Sequence, residues 1–405
     1  MSTQAQTALA GTTASMLKDA EKSLMYVVTR PEKVFVRGKG SYLWDADGNQ
    51  FFDCLQGWAV NALGHSPPVL VRALNRQAKN LINGSPALYN DAMIEFARLL
   101  TENSALDKVF FANSGAEANE GALKLARKYG AKVLGGAYEV ITTWNGFHGR
   151  TLSMMAASGK KPWDNLFEPK VPGFIRVDFN DLKAVRQAMG KKTCAIMVEP
   201  IQGEGGVNVA DKAYMKGLRK LCDESGVLLI LDEIQTGIGR TGSLFAYEQY
   251  GIEPDIMTLG KGIGGGFPLA ALMAKDKFCL FEAGDQGGTF CGQPLAMAAG
   301  LAVVGEVINK RIFARAKSRG RYLQKRLKEM SGEFGFTNIR GKGLLVGLDL
   351  PADKGPEVVK ACEAERLLIN APNPKAIRFM PALNITTAQV DEMLDKFATA
   401  LRKVL

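Results

Sequence analysis

Six short apolar segments, several of them separated by stretches of helical character, constrain the fold of this 405-residue chain more than any other feature. Most of these segments are apolar almost without interruption, which is typical of strands buried on both faces of a largely parallel sheet. We predict strands at residues 108–113, 139–144, 194–200, 226–233, 255–259 and 269–274. Because helical segments such as ANEGALKLARKYGA and DKAYMKGLRKLCDESG lie between several of them, the sequence predicts an α/β architecture.

The chain on either side of this region has a different character. The stretch SYLWDADGNQFFDCL turns at Asp47-Gly48 between two alternating runs, which is the signal of a β-hairpin. From about residue 300, a long basic helix precedes short apolar runs and a final amphipathic helix, the pattern of a smaller α+β unit. We predict three parts of the chain. Residues 1–69 form an N-terminal segment with a flexible start, which belongs to the small domain. Residues 70–300 form a large domain, and residues 301–405 form a C-terminal small domain.

The net charge of +10 first suggests a nucleic-acid-binding protein, but the basic residues are spread along the whole chain. The densest basic run, from Lys310 to Lys328, interleaves its cations with Ile312, Leu323 and Leu327 at helical spacing. That spacing is typical of a solvated helix face. We therefore expect no nucleic-acid partner, and a positive field that suits small anionic substrates.

Cysteine and histidine usage limits the available chemistry. The six cysteines form no CxxC or other close pair, which indicates reduced thiols in a cytosolic protein and argues against a metal site. Of the two histidines, His65 is expected to anchor a loop and His148 to form a hydrogen bond with the backbone. Acid–base catalysis is therefore expected from Lys, Asp or Glu. Because no stretch approaches the roughly 20 apolar residues that span a bilayer, we expect a cytoplasmic protein without a membrane partner.

Lys261 stands among glycines, directly after a predicted strand, in LGKGIGGGFPLAA. The segment GKGIGG formally matches a dinucleotide fingerprint, but Pro268 and a new apolar run at Leu269 leave no room for the helix which that motif requires. No Gly-Lys pair of the chain is followed by Ser or Thr, which excludes a P-loop. A partly desolvated amine at a strand end can instead form a Schiff base with an aldehyde, which indicates a pyridoxal cofactor.

A pyridoxal cofactor also needs an anion site for its phosphate. The stretch FFANSGAEANE leads from a strand into a helix, with Ser114 and Glu117 spaced as a capping box. Backbone N–H groups of Gly115 and Ala116 at the helix start would form such a site. The sequence therefore predicts phosphate binding at this helix terminus.

Three further side chains have the chemistry that a pyridoxal ring requires. Asp232 ends an apolar strand and could hold the ring nitrogen protonated, so that the ring absorbs the electrons of a carbanion. Gln235, three residues later, could donate to the phenolate oxygen, and Phe147 could stack on the ring face. These residues complete a candidate cofactor site.

Six motifs together resemble those of the class-III aminotransferases, which are pyridoxal-phosphate enzymes of fold type I. They are NSGAEANE, GFHGRT, VEPIQGEGG, LDEIQTGIGRTG, LGKGIGGGFPLAA and GGTFCGQPLA, in the order and spacing of that family. The resemblance covers the chain from about residue 30 to its end and is strongest to the acetylornithine/ornithine branch. It implies a large, mainly parallel seven-stranded sheet domain and a smaller α+β domain.

The resemblance also implies which residues bind the cofactor. They are Ser114, Gly115, Ala116, Phe147, Asp232, Gln235, Lys261 and Thr289. Lys261 resembles the lysine that forms the Schiff base with pyridoxal 5'-phosphate, and Asp232 resembles the partner of the ring nitrogen; both are the implied catalytic residues. Thr289 resembles a hydroxyl that reaches the phosphate of the neighbouring subunit, which implies a homodimer.

The substrate-binding residues implied by the resemblance are Arg150, Arg378, Glu204 and Trp58. Arg150 resembles the arginine that binds the substrate carboxylate far from the reacting amine, and Arg378 the one that binds the α-carboxylate of 2-oxoglutarate. Glu204 resembles the acid that covers Arg378 while an ω-amine donor is bound. Trp58 aligns with a residue of the substrate pocket.

The resemblance implies transamination of an ω-amino donor such as N-acetylornithine with 2-oxoglutarate, giving a semialdehyde and glutamate. Two alternatives stay open. The stretch Gly287-Gly288-Thr289 is also similar to 4-aminobutyrate aminotransferases, so another ω-amino acid could be the donor. A racemase or aminomutase on the same scaffold would bind the cofactor identically but need no acceptor oxo acid.

Overall fold

The computed structural model describes residues 12–405 of the chain and contains an α/β fold. The strands are β1 Phe35–Lys39, β2 Tyr42–Asp45, β3 Gln50–Asp53, β4 Lys108–Ala112, β5 Glu139–Thr143, β6 Phe174–Val177, β7 Thr193–Val198, β8 Ile201–Gln202, β9 Asn208–Val209, β10 Leu228–Asp232, β11 Ile256–Leu259, β12 Ala270–Ala274, β13 Thr337–Lys342, β14 Leu345–Asp349, β15 Leu367–Leu368 and β16 Ala376–Phe379. The helices are α1 Thr13–Ser23, α2 Gln56–Ala59, α3 Pro68–Ala78, α4 Asp91–Glu102, α5 Gly115–Val133, α6 Leu152–Ala157, α7 Leu182–Ala188, α8 Lys212–Ser225, α9 Pro294–Asn309, α10 Ile312–Phe334, α11 Gly355–Ala364 and α12 Thr387–Leu401.

A seven-stranded sheet forms the centre of the fold, with the strand order β4-β12-β11-β10-β7-β5-β6. Its neighbours pair in parallel except at β12, which is antiparallel to both β11 and β4. Every residue of β7, β10, β11 and β12 is buried, as expected for strands covered on both faces. The mainly parallel seven-stranded sheet and its six predicted strands are confirmed.

The seventh strand, β6, was not predicted. It lies at the edge of the sheet, and only the last of its four residues is fully buried. An edge strand does not need an unbroken apolar run, because one side of it faces no neighbouring strand. The pattern of continuous burial that identified the central strands is therefore missing from FIRV.

Two catalytic candidates lie at one edge of this sheet. Asp232 is the last residue of β10 and pairs with Thr258 of β11, and Lys261 follows the end of β11 by two residues. In parallel strands the carboxyl ends meet at the same edge, where ligands bind in open α/β sheets. Helix α5 begins near this edge with the predicted capping box, in which Ser114 and Glu117 satisfy each other's backbone N–H groups.

The described residues also form three smaller sheets: β1-β2-β3-β15, β13-β14-β16 and β8-β9. The predicted hairpin is confirmed, since β2 and β3 are antiparallel and Gly48 adopts a φ of +83° in the turn. Strand β3 pairs in parallel with β15, which joins the N-terminal segment to the C-terminal part of the chain. The division at residues 69 and 300 stays a prediction.

The start of the chain differs in part from expectation, while the final amphipathic helix is confirmed as α12. Residues 13–23 form helix α1, whereas a loose start was expected; the rest of that predicted flexible start, residues 1–11, lies outside the described residues. The predicted long basic helix is confirmed as α10, whereas α9 before it is an apolar helix; Arg311 separates the two because it has a φ of +48°, which a right-handed helix cannot contain. All six cysteines are free thiols. Over residues 12–405, no helix has both the length and the apolar character needed to cross a bilayer.

Two glycines of α10 provide a matched test of its packing. A Cβ atom at Gly320 would overlap the carbonyl oxygen of Gly343 in the turn between β13 and β14, whereas one at Gly332 would meet nothing within 4 Å. We expect Gly320→Ala to lower the free energy of unfolding by about 2 kcal/mol or more, because the backbone of that turn must move. Gly332→Ala should raise it by up to about 1 kcal/mol through helix propensity. Urea unfolding measures both values, and equal effects would contradict the packing described.

Candidate active site

Lys261 has an unusual backbone conformation and a desolvated amine. It opens a short 3-10 turn directly after β11 with a φ of +48°, a left-handed conformation that costs a non-glycine residue of order 1 kcal/mol. The side chain is partly buried, and this burial lowers the pKa of its amine against the opposing influence of Glu204 and Asp232. A lowered pKa leaves more of the amine in its neutral, nucleophilic form.

Asp232 is buried at the end of β10 and accepts three hydrogen bonds. Its Oδ2 accepts from Nδ2 of Asn119 and from Nδ1 of His148, each at 2.8 Å. Its Oδ1 accepts from the backbone N–H of Ile234 at 3.1 Å. Asn119 is itself fixed by Thr258, whose hydroxyl donates to Oδ1 of Asn119 at 2.7 Å. The carboxylate is thereby held in one orientation by helix α5, strand β11 and the loop of His148.

The ring of His148 bonds this carboxylate and not the backbone, which corrects the role expected from the sequence. The reason is that the loop after β5 and the end of β10 meet at the same sheet edge, a contact that spacing along the chain does not reveal. Burial alone would lower the pKa of His148, but the hydrogen bond and charge of Asp232 outweigh it and raise the pKa above 6.5. The backbone N–H of His148 donates to Oγ of Ser158 at 2.9 Å.

The start of helix α5 lies close to Lys261. A Cβ atom on Gly260 would lie 3.5 Å from the Cα of Gly115 and 3.1 Å from Cγ2 of Ile234, and one on Gly115 would lie 2.8 Å from Cδ1 of Ile234. The first N–H groups of a helix have no partner within it, and those of Gly115 and Ala116 have none among residues 12–405. The two glycines therefore keep open a small cradle with free backbone donors beside the backbone of the turn that begins with Lys261.

This arrangement fits pyridoxal phosphate. Free N–H groups at a helix N-terminus bind a phosphate, the turn that carries Lys261 with its amine of lowered pKa lies beside them, and a buried carboxylate lies at the end of the adjacent strand. Ser114 uses its hydroxyl oxygen to accept from the N–H of Glu117 at 3.3 Å, so the cap is preformed.

Phe147 is held in place by a buried acid that sequence reasoning missed. Its backbone N–H donates to Oε2 of Glu199 at 2.9 Å, and burial raises the pKa of Glu199 to about 7. Glu199 follows β7 directly, as Asp232 ends β10. The same signal, a carboxylate at the end of an apolar strand, could have identified it.

Arg378 and Glu204 form an ion pair in the interior of the site. Nη1 of Arg378 lies 2.7 Å from Oε1 of Glu204 and donates to Oε1 of Gln235 at 3.3 Å, while Nε donates to Oδ1 of Asn370 at 3.1 Å. Arg378 is completely buried, yet its Nη2 has no hydrogen-bond partner in the part of the chain that the structure describes. A buried guanidinium nitrogen without a partner is costly and suits a further carboxylate.

Trp58 lies against this pair on a strained turn. Its ring centroid is 5.6 Å from Cζ of Arg378, and its carbonyl oxygen accepts from Nε2 of Gln235 at 3.5 Å. All four residues of α2 have positive φ, and Trp58 itself has a φ of +67°, so the segment is a left-handed turn. Because Asp53 accepts the N–H groups of Leu55 and Gln56, the start of this turn is fixed.

A second arginine lies at an aromatic wall. The guanidinium of Arg150 is exposed and stacks 4.5 Å from the ring centroid of Trp163 and 5.9 Å from that of Phe147. Nearby, Nζ of Lys160 donates to the backbone carbonyl of Glu204 at 2.8 Å, and burial lowers the pKa of this lysine. Lys160 and Trp163 were not identified from the sequence, since neither follows a strand or belongs to a periodic pattern.

The structure brings together every predicted site residue except Thr289. This residue is exposed, in a loop whose Cys291 receives a long contact of 3.9 Å from Nδ2 of Asn113. Within the described chain, no hydrogen bond joins Thr289 to the residues around Lys261.

Comparison with known proteins identifies the family. The sequence profile described as "Aminotransferase class-III" matches residues 26–401. The acetylornithine aminotransferase of Ralstonia nicotianae is 52% identical over 388 residues, which cover 94% of this chain and 97% of that relative.

Solved structures agree with the sequence comparison. A Toxoplasma gondii ornithine aminotransferase, with partial occupancy of PLP at its active site, matches with a TM-score of 0.93 and 32% identity over 98% of this chain and 96% of that one. The N-acetylornithine aminotransferase of Stenotrophomonas maltophilia matches with a TM-score of 0.83 and 34% identity over 96% and 98%. The chain therefore belongs to the class-III aminotransferases, pyridoxal-phosphate-dependent enzymes of fold type I.

Proposed function

We propose that this aminotransferase transfers the amino group of an ω-amino donor, N-acetylornithine or a similar compound, to 2-oxoglutarate, with a semialdehyde and glutamate as products. The observation that carries the proposal is the buried Arg378, which is covered by Glu204 and retains one nitrogen without a partner. Such a pair suits a site that binds two substrates in turn, one that has a carboxylate next to Arg378 and one that has none at that position. The names of the relatives in Ralstonia nicotianae and Stenotrophomonas maltophilia support the choice of donor.

The phosphate and the aldehyde carbon of the cofactor would be held by the start of α5 and by the turn after β11. Gly115 and Ala116 would donate N–H groups to its phosphate, with Ser114 closing the cap, and Lys261 would bond its aldehyde carbon. Bound pyridoxal phosphate supplies an electron sink that stabilises negative charge on the carbon bearing the substrate nitrogen. Lys261, released when the donor binds, would take the proton from that carbon with its Nζ, for which its lowered pKa suits it.

Asp232 would pair with the ring nitrogen of the cofactor, Gln235 would donate to the phenolate oxygen, and Phe147 would cover the ring. The supporting contacts are those that fix Asp232, since Asn119 and His148 hold its Oδ2 and leave Oδ1 with one backbone donor. The raised pKa of His148 favours its charged form behind the carboxylate, which offsets part of the cost of burying Asp232.

Glu204 would act as a gate for the second substrate. While an ω-amine donor is bound, its carboxylate neutralises Arg378; when 2-oxoglutarate enters, the α-carboxylate would replace it as a bidentate partner. Because Lys160 holds the backbone carbonyl of Glu204, the side chain can move while the loop stays in place. Arg150 would bind the distal carboxylate of either substrate, with Trp58 limiting the space between the two arginines.

A homodimer would complete the site, with Thr289 reaching the phosphate of the neighbouring subunit. Two segments that contain exposed apolar side chains support this arrangement: Leu81, Ile82, Leu88, Tyr89 and Phe290 are all exposed. The segments are joined, since Nδ2 of Asn90 donates to the carbonyl of Gly292 at 3.0 Å and the N–H of Leu295 donates to Ile82 at 3.3 Å. Clustered exposed apolar side chains mark a protein–protein interface.

A second candidate donor is 4-aminobutyrate or another short ω-amino acid. The bulky, partly exposed Trp58 beside Arg378 favours it, because an indole at this position reduces the room for an acylated side chain. A panel of N-acetylornithine, succinylornithine, ornithine, 4-aminobutyrate, β-alanine and lysine with 2-oxoglutarate separates the two. The same panel without 2-oxoglutarate identifies a racemase or aminomutase, which would remain active.

We expect Lys261→Ala to reduce transamination by at least about a thousandfold, since it removes both the covalent attachment and the proton carrier. Borohydride treatment of the wild-type enzyme, followed by peptide mapping, should place the reduced cofactor on residue 261. The exposed Lys191 provides the control, and Lys191→Ala should retain wild-type activity. A Lys261→Ala enzyme with near wild-type turnover would contradict the assignment.

Separate half-reactions test the roles of the two arginines. Arg378→Lys keeps the charge but loses the bidentate fork, so we expect the 2-oxoglutarate half-reaction to lose roughly tenfold or more in kcat/KM while the donor half-reaction changes little. Arg150→Lys should impair both half-reactions, because both substrates carry a distal carboxylate. Equal losses in both half-reactions of Arg378→Lys would refute this division of labour.

The two histidines of the chain make the Asp232 network accessible to imidazole NMR, with His65→Gln to assign the signals. In the cofactor-free protein the pKa of His148 should lie above 6.5 and fall in Asp232→Asn, because burial remains while the carboxylate is lost. A histidine pKa raised on folding adds stability that is complete below pH 6.5 and is lost as the pH rises through the folded value. Asp232→Asn should therefore abolish this loss of stability, and an unchanged pKa would contradict the contact.

A further inference from the structure

A second cavity, of about 930 Å³, lies outside the site described above. It is bounded by the β1–β2 hairpin, by the segment that leads into α3, and by the junction of α9 and α10. We call it the basic cavity, after the five cations among its lining residues: Arg37, Lys39, Arg72, Lys310 and Arg315. No residue assigned above to the cofactor or to the substrates lines it.

The charge of the basic cavity is uncompensated. Its one acidic lining residue, Glu306, is already paired with Lys310. The other four cations have no carboxylate within ion-pair distance among residues 12–405, and residues 1–11 contain no Asp or Glu. Four like charges around one concavity repel each other and attract a multiply charged anion.

The walls of the basic cavity also suit an organic ligand. Leu63, Val69 and Ile312 contribute apolar surface, and its volume is that of sites for molecules of nucleotide size. The guanidinium of Arg37 stacks on the ring of Trp44 at 3.9 Å, which fixes its plane. A stacked guanidinium keeps its N–H fork free for a phosphate or carboxylate.

The frame of the basic cavity is rigid and locally strained. The backbones of Gly40 and His65 exchange two hydrogen bonds of 3.0 and 2.8 Å, and Nε2 of His65 donates to Asp53 at 2.7 Å. At the rim, Ser66 and Arg311 have φ values of +47° and +48°. Non-glycine residues in this conformation are concentrated at functional sites, where the surrounding structure holds them.

We propose that the basic cavity binds an organic polyphosphate of nucleotide size, with its phosphates on Arg37, Lys39, Arg72 and Arg315 and its organic part against the apolar wall. The number of cations favours this class over a dicarboxylate substrate, which would satisfy only two of the four. The concave shape favours a small molecule over nucleic acid, which binds extended basic surfaces.

Calorimetry on the cofactor-saturated enzyme tests the proposal with ATP, tripolyphosphate and adenosine as probes. We expect ATP to bind, tripolyphosphate to bind more weakly, and adenosine not to bind. Reversing two charges in Arg72→Glu/Arg315→Glu should weaken ATP binding by at least about tenfold. Both arginines are exposed, so the variant should fold, and its circular dichroism and cofactor absorbance verify this.

The matched control is Arg186→Glu/Lys216→Glu, which reverses two exposed cations outside the basic cavity and should leave the affinity for ATP within about twofold. Equal weakening in both variants would overturn the proposal, since the binding would then reflect net charge alone. Displacement of ATP by saturating 2-oxoglutarate would also overturn it, because it would locate ATP in the catalytic pocket. The proposal would also be overturned if ATP did not bind, or if a DNA oligonucleotide bound more tightly than ATP.

Discussion

The carboxylate of Asp232 is the centre on which the site is organised. A buried acid is costly unless donors surround it, and here they come from Asn119 on α5, His148 after β5 and the backbone of Ile234 after β10. Thr258 of β11 in turn orients Asn119. The side chain of Asp232 therefore connects α5, the loop after β5 and the turn after β10. Through Asn119 it is also connected to β11. Lys261 lies two residues beyond β11, the strand that carries Thr258.

Electrostatics links this centre to the ion pair of Arg378 and Glu204. Burial lowers the pKa of Lys261, while Glu204 and Asp232 act in the opposite direction, so the amine responds to the charge at both ends. Glu204 is shared between Arg378 and, through its backbone, Lys160. In the proposed reaction, the exchange of Glu204 for a substrate carboxylate would thus change the electrostatic potential at the amine of Lys261 as well as the space available to the substrate.

The features predictable from the sequence were those recorded in local patterns. Continuous apolar runs marked the six central strands, the Ser114–Glu117 spacing marked the start of α5, and strand-end polar residues marked Asp232 and Lys261. What was missed depends on contacts between distant parts of the chain. The ring of His148 bonds Asp232 across 84 positions, and Lys160 reaches Glu204 across 44. The half-buried edge strand β6 carries too weak a pattern to be found alone.

The left-handed turn at Gln56–Ala59 has a consequence for how this enzyme can change. A tryptophan at a φ of +67° adopts a conformation that glycine or asparagine would take with less strain, so the folded state sacrifices stability to place an indole beside Arg378. The route of the backbone is set upstream by Asp53, which binds the N–H groups of Leu55 and Gln56. Selection can therefore replace the side chain at position 58 without rerouting the chain. Glycine or asparagine there would relieve the strain and, with the substrate role proposed for this residue, would also enlarge the space for the donor.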